Sequence, residues 1–239
     1  MNRRNISPIM IIIFVMIVVN MIGGRFSNPL DWLQHKILLL PAIVIGLTFH
    51  EAAHGFVSYK LGDPTPKNQG RLTLDPRAHM DPFGFLALIF AGFGWGIPVQ
   101  IDPRYYKHPR RDEFFVSIAG VTTNFIIALI AMIINTLLLM NNIVDSGSVV
   151  TQVLNYMVVI NIILMCFNLL PIPPLDGFSI LTQIFDLRKY SWYYSFYNKG
   201  FLLLMVFVLL GITDNFLGKG VSLVYNFMLE ITLRVIQAL

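Results

Sequence analysis

The chain has 239 residues, 56% of them hydrophobic and only 13% charged, with a mean hydropathy of +0.68. Soluble domains carry about 25% charged residues, so this composition excludes an ordinary soluble globular protein. The net charge of +4 does not point to nucleic acid, because no Lys/Arg-dense run interleaved with aromatics lies on a polar segment. It fits the cytoplasmic loops of a membrane protein instead, where Lys and Arg collect.

Three stretches, 5–24, 114–144 and 147–175, contain no charged residue. Each reaches the ~20 residues that a helix needs to cross ~30 Å of hydrocarbon. The first follows Arg3 and Arg4 and has the outline of a signal peptide. Its apolar part is longer than a typical h-region, however, and "NMIGGR" is a poor cleavage site, so a retained first span is expected. Hydropathy places spans at 6–24, 37–58, 114–141, 149–170, 199–213 and 216–237. The expectation is an all-α polytopic membrane protein of about six transmembrane helices. The single cysteine, Cys166, lies in an apolar run, excludes an intrachain disulfide and reads as packing.

Between the second and third spans, residues 61–82 are polar and rich in Pro and Gly, with a short strand expected at 71–74. Residues 83–101, "FGFLALIFAGFGWGIPVQI", are apolar again but carry four glycines before Pro98. Lys60, Lys67, Arg71 and Arg77 precede this stretch, and Arg104, Lys107, Arg110 and Arg111 follow it. Both flanks therefore read as cytoplasmic, which one full crossing cannot satisfy. A re-entrant, partly β segment satisfies it, with "WGIPVQI" as the strand-like half. The second span then returns to the cytoplasm, the third leaves to the turn at 141–148, and the fourth comes back to "NLLPIPPLDG".

The second span ends in "GLTFHEAAHGFVSYKLG" (46–62). Residues four apart share a helix face, so His50 and His54 can aim two imidazoles at one ion while Glu51 lies about 100° round the axis. This is the H-E-x-x-H arrangement of zinc sites, in which the glutamate activates water rather than ligating. Buried ionisable groups in a membrane are costly and usually functional. A third ligand is wanted, and Asp75, His79, Asp81 and Asp176 lie on the correct side. The topology brings Asp176 to the depth of His54, and Pro171, Pro173 and Pro174 break the helix where Asp176 must turn inward. That assignment depends on the re-entrant reading. His35 and His108 sit in polar sequence and read as solvated.

"HEAAH", "SIAGVTTN" and "NLLPIPPLDG", in that order, resemble the site-2 protease family of intramembrane zinc metalloproteases, and "GWGIPV" at 94–99 is similar to the family as well. The resemblance covers roughly residues 37–187. It implies Zn2+ held by His50, His54 and Asp176, with Glu51 as general base. Asn124 and Asn168 fall at polar positions of two family motifs, where binding of substrate or polarising of the scissile carbonyl is expected; holding the helices together is the competing role. Val121 departs from the proline that the family commonly has after Ala-Gly.

The resemblance further implies one membrane-embedded protease domain over 1–239, in a minimal form without PDZ or CBS domains. Its substrates would be transmembrane proteins cut within the lipid bilayer, in a prokaryotic cell membrane, with the site toward the cytoplasm. A catalytically idle protein that holds transmembrane clients is the alternative. A desaturase-type oxygenase needs several histidine boxes, and the chain has five histidines in all.

Overall fold

The computed structural model describes Val18, residues 28–91 and residues 94–238. The expected first span, Val18 apart, lies outside the described residues. Eight helices follow in chain order: α1 Pro29–Lys60, α2 Thr65–Asn68, α3 Pro82–Ala91, α4 Pro109–Met140, α5 Val149–Asn168, α6 Asp176–Phe185, α7 Tyr193–Leu209 and α8 Ile212–Gln237. No strand forms among the described residues, and the only sheet-like contact among them is an isolated antiparallel bridge between Met80 and Gly96.

Helices α1, α4 and α5 pack against one another pairwise and form the centre of the molecule. Alanine and glycine lie where they meet, because close backbone approach replaces the hydrophobic drive that lipid cannot supply. Ala128, Ala131 and Met132 of α4 meet Val158 and Ile162 of α5, and Met228 of α8 closes this cluster. Gly46 of α1 leaves so little room that a β-carbon there would lie 2.7 Å from Leu164 Cδ1.

Three of the helices, α1, α4 and α5, are long and apolar enough to span a membrane. Both α1 and α4 begin earlier than hydropathy suggests, each with proline in the first turn. That position suits proline, since its missing N–H is unpaired there anyway. The extra turns are polar enough to escape a hydropathy window. His35 consequently lies within α1 rather than in a loop, its Nδ1 2.7 Å from the Tyr156 hydroxyl.

The two expected C-terminal spans form two helices, neither of which qualifies alone as a span by length and composition. Helices α7 and α8 meet at 81° and together make at most one broken span. Gly211 causes the break, with φ 65°, a left-handed conformation open to glycine.

Residues 82–101 do not cross the molecule as one rod. Helix α3 has 10 residues, about 15 Å at 1.5 Å per residue, which is half a bilayer. The chain then doubles back: a β-carbon on Gly84 would lie 2.1 Å from the Trp95 carbonyl oxygen. Met80 bridges Gly96, and the Ile97 amide donates to the His79 carbonyl at 2.8 Å. The excursion therefore begins and ends at one place. Its outgoing half forms neither helix nor sheet, and of residues 71–74 only 72 and 73 form a bend.

Candidate metal centre

His50 and His54 project from α1 one turn apart, and each is fixed through its Nδ1. His50 Nδ1 lies 2.6 Å from Asn124 Oδ1, and His54 Nδ1 lies 2.7 Å from the Val116 carbonyl oxygen. Both acceptors belong to α4. A carbonyl oxygen can only accept, so His54 carries its proton on Nδ1 and directs an Nε2 lone pair the other way.

The two Nε2 atoms are 3.1 Å apart. Asp176, the first residue of α6, brings its Oδ2 to 3.2 Å from His50 Nε2 and 3.4 Å from His54 Nε2. The proline-rich stretch 171–174 separates α5 from α6 and turns Asp176 toward α1. Asp176 is not the N-cap of α6, a place held by Leu175.

This donor set fits a tetrahedral cation. Bonds of about 2.0–2.1 Å at the tetrahedral angle separate ligand atoms by roughly 3.3 Å, matching the three observed distances of 3.1, 3.2 and 3.4 Å. Asp176 Oδ2 is buried and has no hydrogen-bond partner of its own. The space beside the cluster is kept clear by Gly120 of α4, where a β-carbon would lie 2.6 Å from the Nε2 atoms of both histidines.

Among known proteins the chain is 41% identical over 160 residues to "Putative zinc metalloprotease YwhC" of Bacillus subtilis, a match covering 64% of this chain and 73% of that relative. The chain belongs to peptidase family M50, the site-2 protease family. The model of Peptidase family M50 matches residues 133–212, a stretch that holds Asp176 but not the histidines. "Putative zinc metalloprotease Rip2" of Mycobacterium tuberculosis is 30% identical over 166 residues, covering 67% of this chain and 62% of its own length. "Zinc metalloprotease MJ0392" of Methanocaldococcus jannaschii is 28% identical over 231 residues, covering 95% of this chain and 57% of its own length. No solved structure matches the chain.

Beside the cluster of this M50 chain stands Glu51. Its Oε2 accepts a 3.0 Å hydrogen bond from the Val99 amide. The stretch leaving the hairpin thus lies along α1, with Val99 Cγ1 over Gly55. A second tie holds the end of that stretch: Asp102 N–H donates to Asp63 Oδ2 at 2.8 Å. Asp63 is buried and also accepts from the Ser58 hydroxyl and the Thr65 amide. Burial alone would push its carboxyl up, but these hydrogen bonds outweigh it and hold Asp63 below the usual carboxylate range. Nearby, burial pushes the Tyr106 phenol up to about 12, its hydroxyl 2.7 Å from Ser58 Oγ.

The other third-ligand candidates are engaged elsewhere. Asp75 pairs with Arg77 at 2.7 Å, Asp81 accepts from the Gly84 amide at 2.7 Å, and His79 Nε2 lies 2.9 Å from the Thr73 carbonyl. Asn124 is fully buried, with its Oδ1 against His50 Nδ1. Asn168 donates to Leu164 O of its own helix at 2.9 Å and makes no contact with the cluster. Sequence reasoning missed Gly120 and Asn161. The second, a lone amide within an apolar run, could have been flagged on the cost of burying it.

Proposed function

We propose that the protein is an intramembrane zinc metalloprotease that hydrolyses peptide bonds in or near transmembrane segments of membrane proteins, in regulated intramembrane proteolysis. The observation that carries this reading is the convergence of two imidazole nitrogens and one carboxylate oxygen within 3.1–3.4 Å, next to Glu51. His50, His54 and Asp176 hold the ion. Zinc, when bound, supplies a Lewis acid and lowers the pKa of water toward ~7. Glu51 takes the water proton and passes it to the leaving amine, its Oε2 held by the Val99 amide so that the other oxygen handles the proton.

A transmembrane substrate is locked in helical hydrogen bonds and must unwind locally before it can be cut. Its freed backbone groups need partners, and main-chain groups of the stretch 97–101 that the protein does not itself use supply them by strand addition. In this reading the hairpin enters and leaves on the cytoplasmic side of a prokaryotic membrane, so water reaches Glu51 without crossing hydrocarbon. The described spans become four if α7 and α8 count as one, with residues 6–24 as a further span.

The test is incubation of purified full-length protein with single-span membrane proteins, with zinc content measured alongside. Wild type should cleave and contain zinc, while Glu51→Gln should contain zinc and cleave at least ~10^2-fold more slowly. Cleavage by E51Q at the wild-type rate would sink the assignment of the base. A wild-type protein that retains no zinc would sink the metal centre.

A further inference from the structure

We propose that Asn124 and Asn161 form a relay that positions His50 for zinc, making Asn161 on α5 a positioning residue although it never approaches the ion. The proposal rests on reading His50, His54 and Asp176 as the zinc ligands. An Asn side chain can present either its oxygen or its nitrogen to a neighbour, and the surrounding partners decide which. Here each orientation is fixed by an atom that can only accept.

The relay starts at the Met157 carbonyl oxygen, which accepts from Asn161 Nδ2 at 2.8 Å. That contact turns Asn161 Oδ1 toward α4, where it accepts from Asn124 Nδ2 at 2.9 Å. Asn124 Nδ2 also donates to the Gly46 carbonyl of α1 at 3.1 Å. With its nitrogen committed twice, Asn124 presents Oδ1 to His50 Nδ1 at 2.6 Å. An oxygen there accepts only from a protonated Nδ1, so the lone pair of His50 sits on Nε2, the atom facing His54 and Asp176.

Both asparagines and Gly46 come from the three helices that form the centre of the bundle. Asn124 and Asn161 are fully buried. A β-carbon on Gly46 would lie 3.1 Å from Asn161 Oδ1, so the close approach of α1 and α5 and the aim of the relay go together. A buried polar network that is fully satisfied is rigid, and this chain of bonds uses the nitrogens and oxygens of both. Partners of this kind, behind a metal-ligating histidine, typically govern metal affinity by about 10–100-fold.

The experiment measures zinc affinity of purified full-length protein by chelator competition, the visible spectrum of the Co2+-loaded form, and the melting temperature of the metal-free form. Asn124→Ala should weaken zinc binding about 10–100-fold and alter the cobalt bands, a spectral change that a lower metal-free melting temperature would not by itself produce. Asn161→Ala should weaken it about 2–12-fold, the equivalent of one neutral hydrogen bond. Wild-type affinity and spectrum in N124A or N161A would overturn the relay. His54→Ala serves as the separate control: zinc retained by H54A would defeat the ligand assignment itself, whatever the asparagine variants do.

Discussion

Gly120 of α4 faces His54 of α1 so closely that a single added methyl group would lie 2.6 Å from the imidazole Nε2. Neither His54 nor His50 can swing aside, because each is tied through Nδ1 to α4. Gly120→Ala therefore sets one carbon against both imidazole ligands. Overpacking of this kind costs about 1–3 kcal/mol, or roughly 5–150-fold if taken wholly from the zinc-bound state. Measured by chelator competition, G120A should lose zinc affinity in that range; unchanged affinity would mean that α4 moves away freely.

The Val99 amide reaches Glu51 through the main chain, so only removal of its N–H should matter. Val99→Ala should leave cleavage within about twofold of wild type, and Val99→Pro should slow it about 10–100-fold with zinc content unchanged, the scale of one hydrogen bond to a charged group. Equal rates for V99A and V99P would remove this hydrogen bond from the mechanism.

The hairpin at 82–101 depends on two glycines whose backbones meet. A β-carbon on Gly84 would lie 2.1 Å from the Trp95 oxygen, and one on Gly94 would lie 2.1 Å from the Gly84 oxygen. Backbone cannot yield as a side-chain tip can. Gly84→Ala should open the hairpin, destabilising it by about 1–3 kcal/mol and speeding protease nicking within residues 94–102. Nicking at the wild-type rate would contradict the close packing.

Asp63 supplies a pH dependence outside the membrane spans. Its folded carboxyl is held below the ordinary value, so the folded state binds its proton less readily than the unfolded chain does. The stability it contributes is fully present above the unfolded pKa of about 3.9. It is lost as pH falls through the lower folded value. The melting temperature of wild type should thus fall in acid, below about pH 4, more steeply than that of Asp63→Asn. At pH 7, D63N should be less stable by about 1–3 kcal/mol, because one of its donors loses an acceptor. Parallel melting curves for the two proteins across this range would refute the assignment.

The cluster of His50, His54 and Asp176 was legible in the sequence because its spacing is local or follows from topology. His50 and His54 share a face by helix geometry, and the charges flanking 83–101 put Asp176 on the same side as the motif. The centres of α1, α4 and α5 followed from uncharged length, whereas their polar first turns did not. Gly120 and Asn161 were not legible, since their roles exist only once α4 and α5 lie against α1. A glycine reserving space for a distant imidazole looks like any other glycine in an apolar run. The role expected of Asn124 was drawn from its motif, but its burial behind His50 depends on packing that no spacing reveals. The strand expected at 71–74 fails for want of a partner, and Gly211 breaks the C-terminal spans at an angle that hydropathy does not encode.

Helix α1 also acts as a depth gauge. It runs 32 residues from Pro29 to Lys60, about 48 Å at 1.5 Å per residue, well beyond the ~30 Å of hydrocarbon it crosses. His54 sits six residues before its end at Lys60, or about 9 Å along the axis. Under the proposed function, and with Lys60 at the lipid boundary, the cut falls in the outer third of the bilayer rather than at its midplane. A client helix then needs to fray by only one or two turns from its end, and its scissile bond should map to that depth whatever its sequence.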